Sequence, residues 1–138
     1  MSTLVIYYTY SGRTKAIAEE LAVTEPADIV EIKEVRRPGK LKAYTAGIVS
    51  SIKGSAWPVQ PLDADFSKYD KLIMLSPVWA GNPAPAFNAM LKQLPSGKAI
   101  SIKMVSRSGE SDCRDRLEAI IKEAGGELVD FEDIRVSR

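Results

Sequence analysis

A short hydroxyl-rich segment follows the first hydrophobic run of the chain. It consists of Thr9, Tyr10, Ser11, Gly12, Arg13 and Thr14. The glycine permits a tight turn and a close approach of the backbone to a ligand. A helix that begins at the end of this segment would add unpaired N–H groups and a partial positive charge, which together with the hydroxyls suit a phosphate. The same residues also suit an ordinary strand-to-helix turn, so the segment alone leaves both interpretations open.

Two later segments carry residues that suit a flat, partly apolar ligand. The first consists of Pro77, Val78, Trp79, Ala80, Gly81 and Asn82, and the second of Ser106, Arg107, Ser108 and Gly109. Trp79 offers a large flat ring for apolar and π contact, and Gly81 accepts a positive φ at little cost. The alternatives are that Trp79 caps the core beneath the next helix and that Gly81 belongs to an ordinary turn.

Short apolar runs bounded by turn residues predict the β-strands. These are Thr3–Tyr8, Asp28–Lys33, Lys71–Ser76, Lys98–Val105 and Glu127–Ile134. Helical spacing of apolar residues predicts helices between them. These are 14–23, 40–53, a helix marked by Phe87, Met90, Leu91 and Leu94, and a helix that begins near Cys113 and ends at Gly125-Gly126. Cys113 lies on the apolar stripe of the last helix and is predicted to be a core residue.

Strands that alternate with helices predict an α/β fold, in which a parallel sheet is covered by helices on both faces. A length of 138 residues suits one domain that spans 1–138. Right-handed crossovers leave few topologies, and a doubly wound five-stranded sheet in the order 2-1-3-4-5 is the best candidate. In this order a crevice opens at the carboxyl ends of the first and third strands. We expect the hydroxyl-rich segment and the Trp79 segment to meet there.

Composition limits the classes of function. The chain has 45% hydrophobic residues, no histidine and one cysteine. Histidine-based metal sites, histidine catalysis and an internal disulfide are therefore excluded, and no metal site is predicted. A net charge of +1 argues against nucleic-acid binding, and no apolar stretch is long enough for a membrane span. The first residues do not resemble a signal peptide, so we expect a cytoplasmic protein. We also expect the protein to be a monomer or a weak dimer.

The three segments, taken in order, resemble the flavodoxin family. The pattern at 9–14 is similar to that family's phosphate loop, and Tyr69-Asp70 with the strand and loop that follow resembles its flavin-contacting region. The resemblance extends over essentially the whole chain. It implies that 9–14 binds the phosphate of FMN, that Trp79 stacks on the isoalloxazine ring, and that 106–109 meets the pyrimidine edge of the flavin. It also implies that a peptide at Gly81 changes orientation when flavin N5 gains a proton.

Two features depart from the family's pattern. Many members have a second aromatic residue in the loop after the fourth strand, whereas this chain has none between Ser106 and Cys113. That flavin face is then either open or covered by Tyr10, Trp57 or a partner subunit. The chain also lacks the acidic balance usual in flavodoxins, with no acidic residue in 77–85. We therefore expect a second-electron potential less negative than that of an acidic flavodoxin. We also expect a weaker salt dependence of partner association, unless the segment 33–53 itself docks an acidic partner.

The resemblance implies an FMN-binding electron-transfer protein that exchanges electrons with redox partner proteins or a small-molecule electron acceptor. An alternative is an FMN-dependent NAD(P)H:quinone-type oxidoreductase, which is disfavoured because nothing in the chain resembles a nicotinamide site. A second alternative is a flavodoxin-like binding module without cofactor, supported only by the missing aromatic residue. No side chain is predicted to be catalytic, since the cofactor supplies the chemistry.

Other classes with this architecture lack their required residues. A phosphoryl-accepting receiver domain needs acidic residues after the first and third strands, where this chain has Tyr8-Thr9 and Ser76-Pro77. The P-loop pattern and the Gly-x-Gly-x-x-Gly pattern are both absent from the first loop. Phosphoryl transfer and dinucleotide binding of these kinds are therefore excluded.

A basic segment spans 33–54. It contains one acidic residue, Glu34, against the basic residues Lys33, Arg36, Arg37, Lys40, Lys42 and Lys53. Such a run is usually a solvated helix face. The alternative is that it binds an acidic partner or a phosphorylated nicotinamide cofactor.

Overall fold

A computed structural model describes residues 2–36, 39, 41 and 43–136 of the chain. The strands are β1 (Thr3–Tyr7), β2 (Asp28–Glu31), β3 (Lys71–Trp79), β4 (Asn82–Pro83), β5 (Ala99–Ser106) and β6 (Glu127–Arg135). The α-helices are α1 (Arg13–Thr24), α2 (Ile48–Lys53), α3 (Pro85–Leu91) and α4 (Arg114–Glu123). A π-helical turn, Ala43–Gly47, leads into α2, and a 3₁₀ turn, Phe66–Lys68, precedes β3.

The long strands form a parallel sheet in the order β2-β1-β3-β5-β6. The two-residue strand β4 lies off this path and pairs antiparallel with the end of β3. The five long strands therefore have the predicted order 2-1-3-4-5, and only the extra short strand changes the numbering. The crevice expected for this topology lies at the carboxyl ends of β1 and β3.

Two hydrophobic cores cover the two faces of the sheet. Because successive residues of a strand point to opposite faces, β1 contributes Leu4 and Ile6 to one core and Val5 and Tyr7 to the other. The larger core also contains Leu72, Met74, Phe87, Met90, Ile100, Ile102, Met104, Cys113, Leu117 and Ile121. The smaller core also contains Ala18, Ile73 and Leu75. The central strands are thus apolar on both sides, as buried parallel strands are.

The third strand is longer than predicted. Its sequence favoured an end at Ser76, but 77–79 continue the strand: Pro77 is in register with Val105 of β5, and Trp79 pairs with Asn82 of β4. The predicted loop at 77–83 is wrong in this respect, because pairing first with β5 and then with β4 keeps the chain extended. Most other boundaries differ by a few residues; for example, β2 ends at Glu31 and α3 ends at Leu91.

The helix predicted over 40–53 buries a different set of residues from the one that its sequence favoured. Positions 40 and 42 lie outside the described residues. Of the predicted apolar stripe, Leu41 and Ile52 are exposed, while Gly47 and Ser51 are buried instead. Ser51 donates a hydrogen bond of 2.8 Å to the carbonyl of Pro83, and Gly47 lies against the Trp79 ring. Small residues face inward here because a large ring already fills the space behind the helix.

No helix among residues 2–36, 39, 41 and 43–136 is long and apolar enough to cross a membrane. The same described residues contain no cluster of three or more Cys, Asp or Glu side chains that is placed to hold a metal ion.

Candidate functional site

A cleft of about 560 Å³ lies at the carboxyl ends of β1, β3 and β5. Residues from all three predicted segments line it: Tyr10, Ser11, Arg13, Thr14, Pro77, Val78, Trp79, Ala80, Gly81, Ser106, Arg107 and Ser108. Val105, Glu110 and Val136 line it as well. The other members of the predicted segments do not line it: Thr9, Gly12, Asn82 and Gly109. The structure therefore brings the three segments to one place.

The first loop is shaped by the two residues that do not line the cleft. Gly12 is the N-cap of α1 and has φ 98°, a left-handed conformation that favours glycine. The Gly12 N–H donates to Oγ1 of the buried Thr9 at 3.0 Å, which closes the turn. Ser11, Arg13 and the buried Thr14 then follow at the start of α1 and border the cleft. The arrangement places two hydroxyls and the N-terminus of a twelve-residue helix on one side of the cleft.

The β3–β4 hairpin forms a second side. Its two-residue turn has positive φ at both positions, 52° at Ala80 and 83° at Gly81, as in a type I′ hairpin turn. A positive φ is uncommon for alanine, and neighbouring contacts hold the turn in place. The Asp112 N–H donates to the Gly81 carbonyl at 2.7 Å, and Asn82 Nδ2 donates to the Ala80 carbonyl at 3.0 Å. Arg116 of α4 donates to Asn82 Oδ1 at 3.1 Å.

Trp79 is positioned by three other aromatic rings. Its centroid lies 6.2 Å from that of Tyr8, 5.9 Å from Tyr10 and 6.3 Å from Trp57, each in an edge-to-face geometry. A Cβ atom on Gly47 would lie 2.6 Å from Cζ3 of Trp79, so the helical segment also packs closely on this ring. Trp79 is thus a partly buried ring, supported on several sides, that still borders the cleft.

Ser76 supports this region and is absent from the predicted site. Its side chain is fully buried at the point where β3 approaches the cleft. Its hydroxyl accepts a hydrogen bond of 3.1 Å from the Ala84 N–H and donates one of 2.9 Å to the Pro77 carbonyl. These bonds tie the strand to the residue that caps α3. The signal in the sequence is a lone hydroxyl at the end of an otherwise apolar run.

The third segment is held mainly by its own hydrogen bonds. Ser106 Oγ accepts from the Gly109 N–H at 2.9 Å, and Ser108 Oγ accepts from the Glu110 N–H at 3.2 Å. The Val136 N–H donates to the Ser106 carbonyl at 2.8 Å and brings that aliphatic side chain to the cleft. This wall therefore combines aliphatic, hydroxyl and charged side chains and carries no aromatic ring. Glu110 and Val136 were missed because their positions depend on the folding of this loop and on the end of β6.

Of the residues suggested to cover the second flavin face, Tyr10 lines the cleft and Trp57 does not. Trp57 contacts Trp79 edge-to-face, and its Nε1–H donates to Ser50 of α2 at 3.1 Å. Trp57 therefore supports the aromatic wall from the helix side. The suggestion that Trp57 covers a ligand in the cleft stays a prediction, and the arrangement favours Tyr10 for that position.

The charged residues that line the cleft are Arg13, Arg107 and Glu110. Asp112 lies just outside, since a Cβ atom on Gly81 would be 2.8 Å from its Oδ2. One carboxylate thus contacts the hairpin although the hairpin sequence contains none. Cys113 is fully buried, and its burial raises the pKa of the thiol, so this residue is part of the core as predicted.

The sequence matches no protein-family model, and no curated protein matches it. Solved structures do match. A flavoprotein in complex with FMN from Lactobacillus acidophilus NCFM is 24% identical, with TM-score 0.75 over 94% of this chain and 91% of that chain. A protein from Bacteroides eggerthii DSM 20697 that was proposed to be a flavoprotein is 15% identical, with TM-score 0.80 over 99% of this chain and 89% of that chain. Oxidised flavodoxin 2 from Bacillus cereus is 16% identical, with TM-score 0.59 over 99% of this chain and 86% of that chain.

These similarities show that the chain has a flavodoxin-like α/β fold. The fold-level resemblance inferred from the sequence is thereby confirmed.

Proposed function

We propose that this flavodoxin-like chain binds FMN in the cleft at the ends of β1, β3 and β5 and acts as an electron-transfer protein. The observation that carries the proposal is the meeting, in one cleft of about 560 Å³, of a hydroxyl-rich helix N-terminus and a supported tryptophan ring. A volume of this size is typical of small-molecule and cofactor sites. A matching structure that holds FMN supports the choice of ligand.

The residues at the start of α1 fit the phosphate of FMN. Ser11 and Thr14 would donate their hydroxyl protons, and the free N–H groups of the first helical turn would add backbone donors. Arg13 also borders the cleft and would contribute a positive charge. Gly12 and Thr9 shape the loop so that these donors converge.

The remaining walls fit the flavin ring. Trp79 borders the cleft and would contact the ring, while three other aromatic residues hold it in position. The Ala80-Gly81 turn and the 106–109 backbone would lie at the ring's polar edge. When bound, the flavin supplies the exchange of one or two electrons. The protein would position it, limit its contact with water and tune its potential through the nearby charges.

An electron carrier is favoured over an NAD(P)H-dependent reductase. The residues that line the cleft come from three short loops and the strand ends, with no additional segment among the described residues that would form a nicotinamide site. The reductase stays as a second candidate, because the wall at 105–108 carries no aromatic ring and leaves room for a small acceptor. The cytoplasmic location, the oligomeric state and the natural redox partners stay predictions.

Flavin binding and electron transfer can be tested separately. Purified protein titrated with FMN should quench flavin fluorescence, and riboflavin, which lacks the phosphate, should bind about tenfold or more weakly. Equal binding of the two flavins would contradict the proposed phosphate site. The FMN-loaded protein, photoreduced with EDTA as the electron donor, should pass electrons to an acceptor without supporting steady NADPH turnover with a quinone. Steady turnover by the protein alone would favour the reductase.

A further inference from the structure

Several apolar side chains between residues 35 and 52 are exposed. The exposed fractions are 65% for Val35, 78% for Leu41, 51% for Val49 and 59% for Ile52. Val49 and Ile52 are three residues apart on α2 and share one side of it. The Thr45 hydroxyl donates to the Leu41 carbonyl at 2.8 Å, which places Leu41 one turn before Thr45 on the same helical segment. Clustered exposed apolar residues of this kind are typical of interaction surfaces.

Two hydrogen bonds connect α2 to the segment around Val35. Trp57 Nε1–H donates to Ser50 Oγ of α2 at 3.1 Å, and the Val35 N–H donates to the Pro58 carbonyl at 3.1 Å. A shallow cavity of about 260 Å³ lies between Val35, Arg36, Trp57 and Pro58. It combines aliphatic and aromatic walls with one guanidinium group. We call the surface formed by 35–36, 49–53 and 57–58 the basic apolar surface.

The charges on this surface have one sign. Arg36 and Lys53 are exposed, and Lys33 is exposed nearby. Glu34 is the only acidic residue in 33–58, and it is buried and accepts a hydrogen bond from the Tyr8 hydroxyl. The sequence has further basic residues at 37, 40 and 42, outside the described residues. No exposed carboxylate therefore balances the positive charge within the described part of this segment.

The basic apolar surface is directly behind the aromatic wall of the cleft. Trp57 belongs to the surface, and its ring centroid is 6.3 Å from that of Trp79, which lines the cleft. Gly47, just before α2, packs against the same Trp79 ring. A molecule bound at this surface would thus be separated from a ligand in the cleft by one layer of aromatic rings.

We propose that the basic apolar surface docks an acidic partner protein, with an aliphatic or aromatic side chain of the partner seated between Val35 and Trp57 and its carboxylates on Arg36 and Lys53. A central apolar anchor with charged groups around it is the usual arrangement of protein interfaces. A second copy of the chain fits poorly, because a two-fold pairing would place like charges opposite each other. The purpose of docking, electron exchange, rests on the proposed function, whereas the association itself does not.

Binding should be measured with two redox proteins of opposite charge. A plant-type [2Fe–2S] ferredoxin is the acidic probe and cytochrome c is the basic one, each titrated against the protein with and without FMN by isothermal calorimetry. We expect the ferredoxin to bind more tightly than cytochrome c and its affinity to fall as salt rises from about 0.02 M to about 0.2 M. Tighter binding of cytochrome c would overturn the proposal.

Charge reversal tests the location. The double variant Arg36→Glu/Lys53→Glu should weaken ferredoxin binding by about tenfold or more, and Ile52→Ser should weaken it by a smaller factor. The matched control is Lys68→Glu/Lys92→Glu, which makes the same charge change at exposed lysines before β3 and after α3, outside the basic apolar surface. Equal effects of the two double variants would overturn the location.

Two further measurements separate this proposal from its alternatives. Vesicles that contain phosphatidylserine should bind less tightly than the ferredoxin, and vesicle binding without ferredoxin binding would assign the surface to a membrane instead. FMN affinity should be unchanged in Arg36→Glu/Lys53→Glu, because neither residue lines the cleft. A protein that fails to bind FMN yet binds the ferredoxin through this surface would refute the proposed function and leave the docking site standing.

Discussion

The two walls of the cleft formed by the β3–β4 hairpin and by 106–110 are held in different ways. The hairpin is tied to Asp112, just before α4, and to Arg116 of α4. Its Trp79 ring is supported by three other aromatic residues. The 106–110 loop depends mostly on hydrogen bonds between its own residues, and Arg107, Ser108 and Glu110 are exposed. The first wall is fixed by tertiary packing and the second by local bonds. We therefore expect substitutions at the first wall to affect a bound flavin much more strongly.

The largest effect should come from Trp79. Trp79→Leu should weaken FMN binding by about 100-fold, because the ring face that borders the cleft is lost. Trp57→Leu is the matched control, since both variants remove the same Trp57–Trp79 contact but only one changes the cleft. Trp57→Leu should change the affinity for FMN by about threefold or less. Similar losses in the two variants, measured by flavin fluorescence titration, would show that the cluster matters only as packing.

The next largest effect on FMN binding should come from Gly47→Ala. The new Cβ would lie 2.6 Å from Cζ3 of Trp79, so the ring or the helical segment must move. Overpacking of this kind costs about 1–3 kcal/mol of stability, and the displaced ring should bind FMN about tenfold more weakly. Gly39→Ala is the control, because nothing lies within 4 Å of its added Cβ. Thermal unfolding and FMN titration of both variants check the prediction, and unchanged FMN affinity in Gly47→Ala would contradict it.

An aromatic ring can be added to the 106–110 wall, which would then resemble the wall that contains Trp79. Ser108 is exposed and borders the cleft, so Ser108→Tyr would place a ring where the loop has none. We expect FMN to bind about three- to tenfold more tightly, in keeping with the usual contribution of one aromatic contact. Ser55→Tyr, at an exposed position outside the cleft, is the control and should leave the affinity unchanged. Weaker binding in Ser108→Tyr would mean that the loop already contacts the flavin closely.

The smallest effect concerns charge. Glu110 lines the cleft and Asp112 contacts the hairpin at Gly81. Removal of either negative charge should stabilise the reduced, anionic flavin, so Glu110→Gln and Asp112→Asn should each raise the second-electron potential by about 20–60 mV. Redox titration at low and high ionic strength measures the shift. A larger shift for Asp112→Asn would show that the more strongly anchored wall also dominates the electrostatics, whereas no shift in either variant would show that burial and backbone hydrogen bonds set the potential.

The sequence was sufficient to predict the sheet and the location of the cleft. Residues such as Val5 and Ile73 belong to runs that are apolar on both faces, and this pattern is specific to buried parallel strands. The order of the strands then determines which loops meet. The cofactor-contacting role of each loop residue stays a prediction, because the structure shows their positions and not a ligand.

Features that depend on contacts between distant residues were not predicted. The positive φ of Ala80 is held by contacts with Asn82 and Asp112, and no local signal at an alanine indicates it. The inward-facing Gly47 and Ser51 are determined by the ring and the carbonyl that they meet, which helical periodicity does not include. The extension of β3 through Pro77 likewise follows from its pairing with β5.

The central claim is that a ligand meets Trp79 on its cleft side while Trp57 supports the ring from behind. These are the two tryptophans of the chain, so a ¹⁵N-labelled sample gives two indole N–H signals in NMR, which Trp57→Phe assigns. On addition of FMN, we expect the Trp79 indole signal to shift or broaden strongly, the Gly12 and Gly81 amides to shift with it, and the Trp57 signal to change little. No change in the Trp79 signal at saturating FMN, or a larger change at Trp57, would contradict the account.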